Sequence, residues 1–218
     1  MSPKPARKRF VVYALLALAL LMILGISLGA NPMKINYGKI FTRASWQHPD
    51  RVIESLSIRP GETLADIGAG DGYFTFALAD AVGPTGKVYA VDVSEKATKT
   101  LERKVEEKGY TNVVVVLAEY ADPLLPNGEI DMVFLCNTYH HIENRPAYFD
   151  RLRGDLKAGG RVAIIDLRGS LLMKLIGHDD HWTATDALKD EMQKAHYHKE
   201  KDWDFLPLQN FVVFRPQV

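Results

Sequence analysis

Asp66, Gly68, Gly70 and Gly72 stand at alternate positions directly after the apolar run Thr63-Leu64-Ala65 and just before Tyr73-Phe74. Glycine takes positive φ without a Cβ penalty, so the chain here can turn sharply and come close to a bound ligand. A helix opening just afterwards would aim free N–H groups at that ligand. This is the chemistry of a nucleotide-type site at the first strand-to-helix turn. A dinucleotide fingerprint wants a small residue where Tyr73 stands, so that pattern fails. The acid two residues before the first glycine suits a cationic amino group better than a pyrophosphate.

Asp92 closes a second apolar run, Val88-Tyr89-Ala90-Val91, at the interval beyond a glycine loop where an acid can accept both hydroxyls of a ribose. The alternative for Asp92 is a favourable charge at a helix start, beside Ser94 as the cap. A further stretch, Cys136-Asn137-Thr138-Tyr139-His140-His141, follows the apolar run 131–135. Its strand end belongs beside the first strand, at the switch point where open α/β sheets bind ligands. Two adjacent histidines invite a metal, but consecutive side chains diverge on a strand or a helix, so no metal is expected here. His178, Asp179, Asp180 and His181 have the residue types of a metal site without a ligand spacing, and read as a polar loop.

The spacing Asp66-x-Gly68-x-Gly70-x-Gly72 resembles motif I of the class I S-adenosyl-L-methionine (SAM) dependent methyltransferases. Asn137-x-x-His140-His141 resembles the motif after the fourth strand in the ubiquinone/menaquinone-biosynthesis-like, type 11 group, and Lys157-x-Gly159-Gly160-Arg161 is a third point of likeness. Together the likeness spans residues 50–216. Ala195-His196 departs from it, standing where that group commonly has Gly-Phe. The resemblance implies SAM as cofactor, with Asp66, Gly68, Gly70, Gly72, Asp92 and Asn137 around it. It also implies an acid near the adenine amino group: Glu119, with Asp122 and a plain loop acid as alternatives. Tyr139, His140 and His141 are candidates to face the acceptor, one of them as a base, and which one points inward is open. Methyl transfer of this kind calls for no metal and no cysteine nucleophile.

These residues need a scaffold of alternating strands and helices. Strands are expected at 63–67, 88–93, 113–117, 131–135 and 161–166, helices after each of the first two and over 145–156, and a turn at Lys157-Ala158-Gly159-Gly160. Thr183 and Asp186 read as a capping pair opening a helix to Ala195. Residues 197–205 and 211–214 read as a terminal antiparallel hairpin. The fold expected is a doubly wound, Rossmann-like α/β sheet of seven strands with that hairpin at its end, preceded by one transmembrane helix. Four parts follow: a basic flank over 1–9, a transmembrane helix or signal-peptide core over 10–29, a linker or lid over 30–49, and the methyltransferase domain over 50–218.

Residues 10–28 carry no charge and are long enough to cross a bilayer, which favours an uncleaved single-pass anchor over a cleaved signal. Flanking charges lean towards the domain outside. The cofactor argument, that SAM is kept in the cytosol, favours a cytoplasmic domain, and the two conflict. Of 218 residues, 27 are Lys or Arg and 27 are Asp or Glu, so no global basic field draws in nucleic acid. The single cysteine, Cys136, excludes an internal disulfide framework. The expected function is a membrane-anchored methyltransferase acting on a small-molecule or lipid-phase acceptor; the alternative is a tethered SAM-binding module without catalysis. An NAD-type oxidoreductase is disfavoured by Tyr73.

Overall fold

The computed structural model describes residues 47–168 and 182–217. The expected transmembrane helix, residues 30–46 of the linker, and the polar loop with His178 and His181 lie outside the described residues. Among the described residues no helix is long and apolar enough to cross a membrane.

The chain runs α1 (Pro49–Leu56), β1 (Thr63–Ile67), α2 (Thr75–Val82), β2 (Lys87–Asp92), α3 (Glu95–Lys108), β3 (Val113–Leu117), β4 (Ile130–Cys136), α4 (Arg145–Leu152), β5 (Leu156–Leu167), α5 (Thr185–Lys194), β6 (Tyr197–Trp203) and β7 (Gln209–Pro216). Seven strands form one sheet in the order β3-β2-β1-β4-β5-β7-β6. All neighbours are parallel except β7, which pairs antiparallel with β5 and with β6. The doubly wound sheet with its terminal hairpin is therefore present as expected.

Central strands are apolar on both sides because helices cover both faces. Ala65, Ile67, Val133, Leu135, Val162 and Ile164 point to one face, where Phe149 of α4 and Leu188 and Met192 of α5 pack on them. Leu64, Met132, Phe134, Ala163 and Ile165 point to the other, under Val52, Leu78 and Leu101 from α1, α2 and α3. The two-residue period of a strand thus divides one apolar run between two cores.

Helix ends follow local chemistry in α3: the Ser94 hydroxyl accepts from Ala97 N–H, and Gly109 closes the helix at φ 72. Two expectations about boundaries are corrected. Lys157-Ala158-Gly159-Gly160 is not a turn ahead of a strand but a bulge inside β5, since Leu156 already pairs with Ile130 and Arg161 pairs with Met132. Asp131, the one residue opposite, holds the bulge by accepting from Lys157 Nζ at 2.6 Å and from Thr63 N–H at 2.8 Å. Thr183 and Asp186 do not cap α5, which starts at Thr185 with no side-chain cap. Thr183 is drawn instead to a buried acid, described below.

At the amino ends of the strands, Glu62 is 5% exposed and receives Arg161 Nη1 and Nη2 at 3.2 Å each, along with Arg59 Nε at 3.0 Å. Burial works to raise the Glu62 carboxyl, but the hydrogen bonds and charge of Arg161, with smaller help from Arg59, hold it below its ordinary value. A depressed folded-state value contributes stability above the unfolded value and loses it as pH falls through the folded one. Glu62→Gln, which leaves Arg161 without its charge partner, is expected to cost roughly 3–5 kcal/mol at neutral pH. Urea unfolding should show the gap between wild type and variant closing on acidification; a gap constant with pH would contradict the ion-pair account.

Candidate functional site

Where β1 ends, Gly68 and Ala69 both donate their N–H groups to Val91 O, at 2.8 and 3.0 Å, which curls the loop towards β2. Gly68, Gly70 and Gly72 take φ of 77°, 56° and 88°. A Cβ on Gly68 would lie 2.1 Å from Thr138 Oγ1, so this position allows the first loop to touch the loop after β4. At Gly70 nothing lies within 4 Å of such a Cβ, and the backbone there faces open space. A Cβ on Gly72 would meet Leu101 and Phe76, making that glycine a packing requirement between helices.

Asp92 stands opposite this loop. Its Oδ2 accepts from Gly70 N–H at 2.8 Å and its Oδ1 from Ser94 N–H at 2.9 Å. Each oxygen keeps lone-pair capacity for a ligand hydroxyl. Asp66 is 3% exposed and accepts from the Thr75 hydroxyl at 2.6 Å, which ties the end of β1 to the first turn of α2. Beyond Asp92 the crevice continues along the carboxyl ends of the strands as a cavity of about 90 Å³, walled by Val93, Glu119, Thr138, His141 and Ile142 among others. Glu119 is exposed on its rim, bridged backbone to backbone with Asp122. Asp122 turns its carboxylate to Arg151 at 2.9 Å and to Leu124 N–H at 2.7 Å, so of the two acids Glu119 lines the crevice.

Three consecutive side chains after β4 take three directions, because Tyr139–His141 form a single 3-10 turn. Tyr139 is fully buried against Phe149, with ring centroids 5.4 Å apart, and donates its hydroxyl to Glu191 Oε2 at 2.7 Å. Burial, and then the Glu191 carboxylate, push the phenol far above its ordinary value. Arg145 grips the same carboxylate through Nε at 2.7 Å and Nη2 at 3.0 Å. Burial opposes ionisation of Glu191, yet these bonds from Arg145 and Tyr139 hold it below the usual carboxylate range. Tyr139 thus joins α4 to α5 and does not line the crevice.

His140 turns under the sheet end. Its Nδ1 lies 2.7 Å from Asp166 Oδ1, with side-chain exposures of 5% and 0%. The other oxygen of Asp166 accepts from the Thr183 hydroxyl at 2.7 Å. His141 is exposed and lines the crevice, its ring centroid 4.1 Å from that of His140. Asn137 adopts φ 56°, donates its N–H to Ile165 O at 2.8 Å, and accepts on Oδ1 from Gln209 Nε2 at 2.7 Å. Gln47, from before α1, reaches Cys136 Sγ at 3.1 Å in the same buried corner.

The structure therefore gathers Gly68, Gly70, Asp92, Glu119 and His141 around one crevice, places Asp66 and Gly72 beneath its floor, and sets Asn137 and His140 at its far end. Asp166, Thr183, Gln47 and Gln209 are additions that sequence reading missed. Asp166 carried a signal, an acid closing an apolar strand like Asp66 and Asp92; the others carried none, since the fold alone brings them in. Among the described residues no group of three or more His, Cys, Asp or Glu side chains is placed to hold a metal ion.

A family described as "Methyltransferase domain" matches residues 58–207. A nocamycin O-methyltransferase of Saccharothrix syringae is 32% identical over 114 residues, 52% of this chain and 41% of that protein. A ubiquinone/menaquinone biosynthesis C-methyltransferase of Burkholderia vietnamiensis is 30% identical over 114 residues, 52% of this chain and 46% of that one. The chain thus spans less than half the length of these curated relatives. The crystal structure of a SAM dependent methyltransferase from Aquifex aeolicus superposes with a TM-score of 0.71 at 23% identity, covering 84% of this chain and 97% of that one, a likeness of fold.

The contact between Gly68 and Thr138 yields a test. Gly68→Ala forces both a left-handed alanine and a clash with Thr138, and is expected to lower stability by roughly 1–3 kcal/mol. Adding Thr138→Ala should return part of that loss by removing Oγ1 and Cγ2 from the clash, leaving the φ strain and a 2.8 Å approach to the Cβ of residue 138. Thermal melts of the two single variants and the double variant measure the coupling; additive effects would mean the loops do not touch.

Proposed function

The chain belongs to the methyltransferase-domain family, and from that premise we propose that it transfers a methyl group from SAM to a small-molecule acceptor. One observation carries the reading: Asp92, with one backbone donor on each oxygen, faces a glycine loop whose backbone at Gly70 opens onto empty space. The residues fit the cofactor. Asp92 would take the ribose hydroxyls, Glu119 on the crevice rim the adenine amino group, and Val93 and Ile142 an apolar ring between them. Asp66, Gly68 and Asn137 border the end where a charged amino-acid portion would lie. When bound, SAM supplies an electrophilic methyl on a sulfonium. Against it the protein has to hold the acceptor in line, exclude water and receive any proton the acceptor gives up.

The acceptor we favour is a lipid-phase molecule such as a quinone precursor. Two things support this: the likeness to the Burkholderia quinone-biosynthesis methyltransferase, and the uncharged stretch 10–28, which suits a single-pass anchor. An anchor raises the local concentration of acceptors dissolved in the same bilayer. We place the domain on the cytoplasmic side, where the cofactor is made.

Calorimetric titration of the full chain in detergent micelles with SAM and with S-adenosylhomocysteine tests the cofactor. Both should bind, and Asp92→Ala should weaken binding about 10–100-fold, the worth of losing charge-assisted hydrogen bonds. No binding by folded wild type would refute the proposal. For the anchor, the full chain should stay with membranes after an alkaline wash, and a chain lacking residues 2–30 should be released. Release of the full chain would overturn anchoring.

A further inference from the structure

At the end of the sheet opposite the crevice, beside Glu62, lies a cavity of about 660 Å³. Its walls carry Arg59, Arg161, Lys201 and Arg215 against Glu62 and Glu200, four cations to two acids. In a chain whose 27 basic and 27 acidic residues cancel, this is a local surplus of positive charge. The volume is that of a small-molecule site.

Strand register brings three of these cations together. Val162 of β5 pairs with Phe214 of β7, and the next position along sets Arg161 beside Arg215. Lys201 of β6 pairs with Val213, two residues from Arg215, so alternation puts all three on one face of the sheet. Like charges set side by side across strands repel one another unless something negative lies between them. For Arg161, 11% exposed, that is Glu62, which takes Nη1 and Nη2 at 3.2 Å each. The other two are less fully engaged. Arg215 spends Nε on half-buried Glu200 at 2.8 Å and Nη1 on Gly159 O, and its Nη2 has no partner among the described residues. Lys201 pairs with no carboxylate among them; its Nζ stands 4.7 Å from the centre of the Trp203 ring, which is itself stacked on Phe211 at 4.3 Å. The β5 bulge keeps the space clear, since at Gly159 nothing lies within 4 Å of where a Cβ would be. The carboxyl end of α1 also reaches the cavity and would oppose an anion, but Leu56 O is taken by Arg161 Nη2, and Ser55 and Ser57 add hydroxyls able to donate.

We infer that this cavity is a second ligand site, for a small molecule bearing a phosphate monoester. The phosphate lies between Lys201 and Arg215, and the organic part rests on Val213 and Trp203. A monoester above neutral pH is close to a dianion, which matches four cations facing two acids, whereas a carboxylate would leave one cation uncompensated. Guanidinium and ammonium donors are also the groups that bind phosphate oxygens through charge-assisted hydrogen bonds. The same chemistry is offered by a soluble phosphate ester and by the headgroup of phosphatidic acid. No residue of this cavity lines the cofactor crevice, so the site stands apart from methyl transfer.

The test is calorimetric titration of the full chain in detergent micelles, above neutral pH, with phenyl phosphate and with dihexanoyl phosphatidic acid. At least one should bind saturably; tighter binding of the first names a soluble ester as the source, and of the second a lipid headgroup. Lys201→Gln and Arg215→Gln should each weaken that binding about tenfold or more, the worth of a charge-assisted hydrogen bond. Glu200→Gln removes an acid and frees Arg215 Nε, and should strengthen it about two- to fivefold, a gain that a poorly folded variant could not produce. Binding of neither probe, binding unchanged in all three variants, or displacement of the probe by S-adenosylhomocysteine, which would put it in the crevice, would each overturn the assignment.

Discussion

Parallel pairing of β1 with β2 on one side and β4 on the other is the constraint from which the site follows. The chain leaves β1 and β2 in one winding direction and β4 and β5 in the opposite one, so the loops after β1 and β4 part and leave a crevice at the strand ends. Gly68 closes the gap at its base, where any side chain would strike Thr138, and the Gly70–Asp92 hydrogen bond fixes the loop against β2. Loop positions set by two strand pairings and one close contact need little further ordering when a ligand arrives.

Buried acids are the second organising feature. Asp66, Glu62 and Asp166 are each nearly or fully out of contact with water, and each has a partner brought from another element: Thr75, Arg161, and His140 with Thr183. Removing such a partner strands a charge, which costs more than the pair contributes when intact. These contacts therefore specify geometry as much as they stabilise, and they lie at both ends of the sheet. Asp66 and Asp166 stand at its carboxyl end, on the side of the crevice, and Glu62 at the other, where it holds α1, β1 and β5 together.

The 3-10 turn after β4 does the sorting that a sequence reading leaves open. With about three residues per turn, neighbouring side chains are separated by a third of a rotation. Tyr139 goes to the core between α4 and α5, His140 to Asp166 at the end of β5, and His141 to the crevice. Three adjacent residues that look equivalent as candidates thereby acquire a structural, a buried polar and a surface position.

Much of the fold, and the glycine loop with the acid that faces it, was legible in the sequence because it depends on local chemistry. Apolar runs bounded by glycine and proline marked the strands, Ser94 and Gly109 marked the ends of α3, and Asp66 to Gly72 with Asp92 marked the loop and its opposing acid. What local chemistry cannot carry is partnership across the chain. Thr183 looked like a cap and proved a partner of Asp166, 17 residues away; Lys157 to Gly160 looked like a turn and proved a bulge, because Leu156 had already found Ile130. Gln47 and Gln209 meet across 162 residues, at 3.4 Å, only through the return of β7 beside β5. Spacing along a chain fixes which way a side chain leaves its own element, whereas the strand order decides what it meets there, and the hydrogen bonds around Asn137, His140 and Asp166 consist mainly of such meetings.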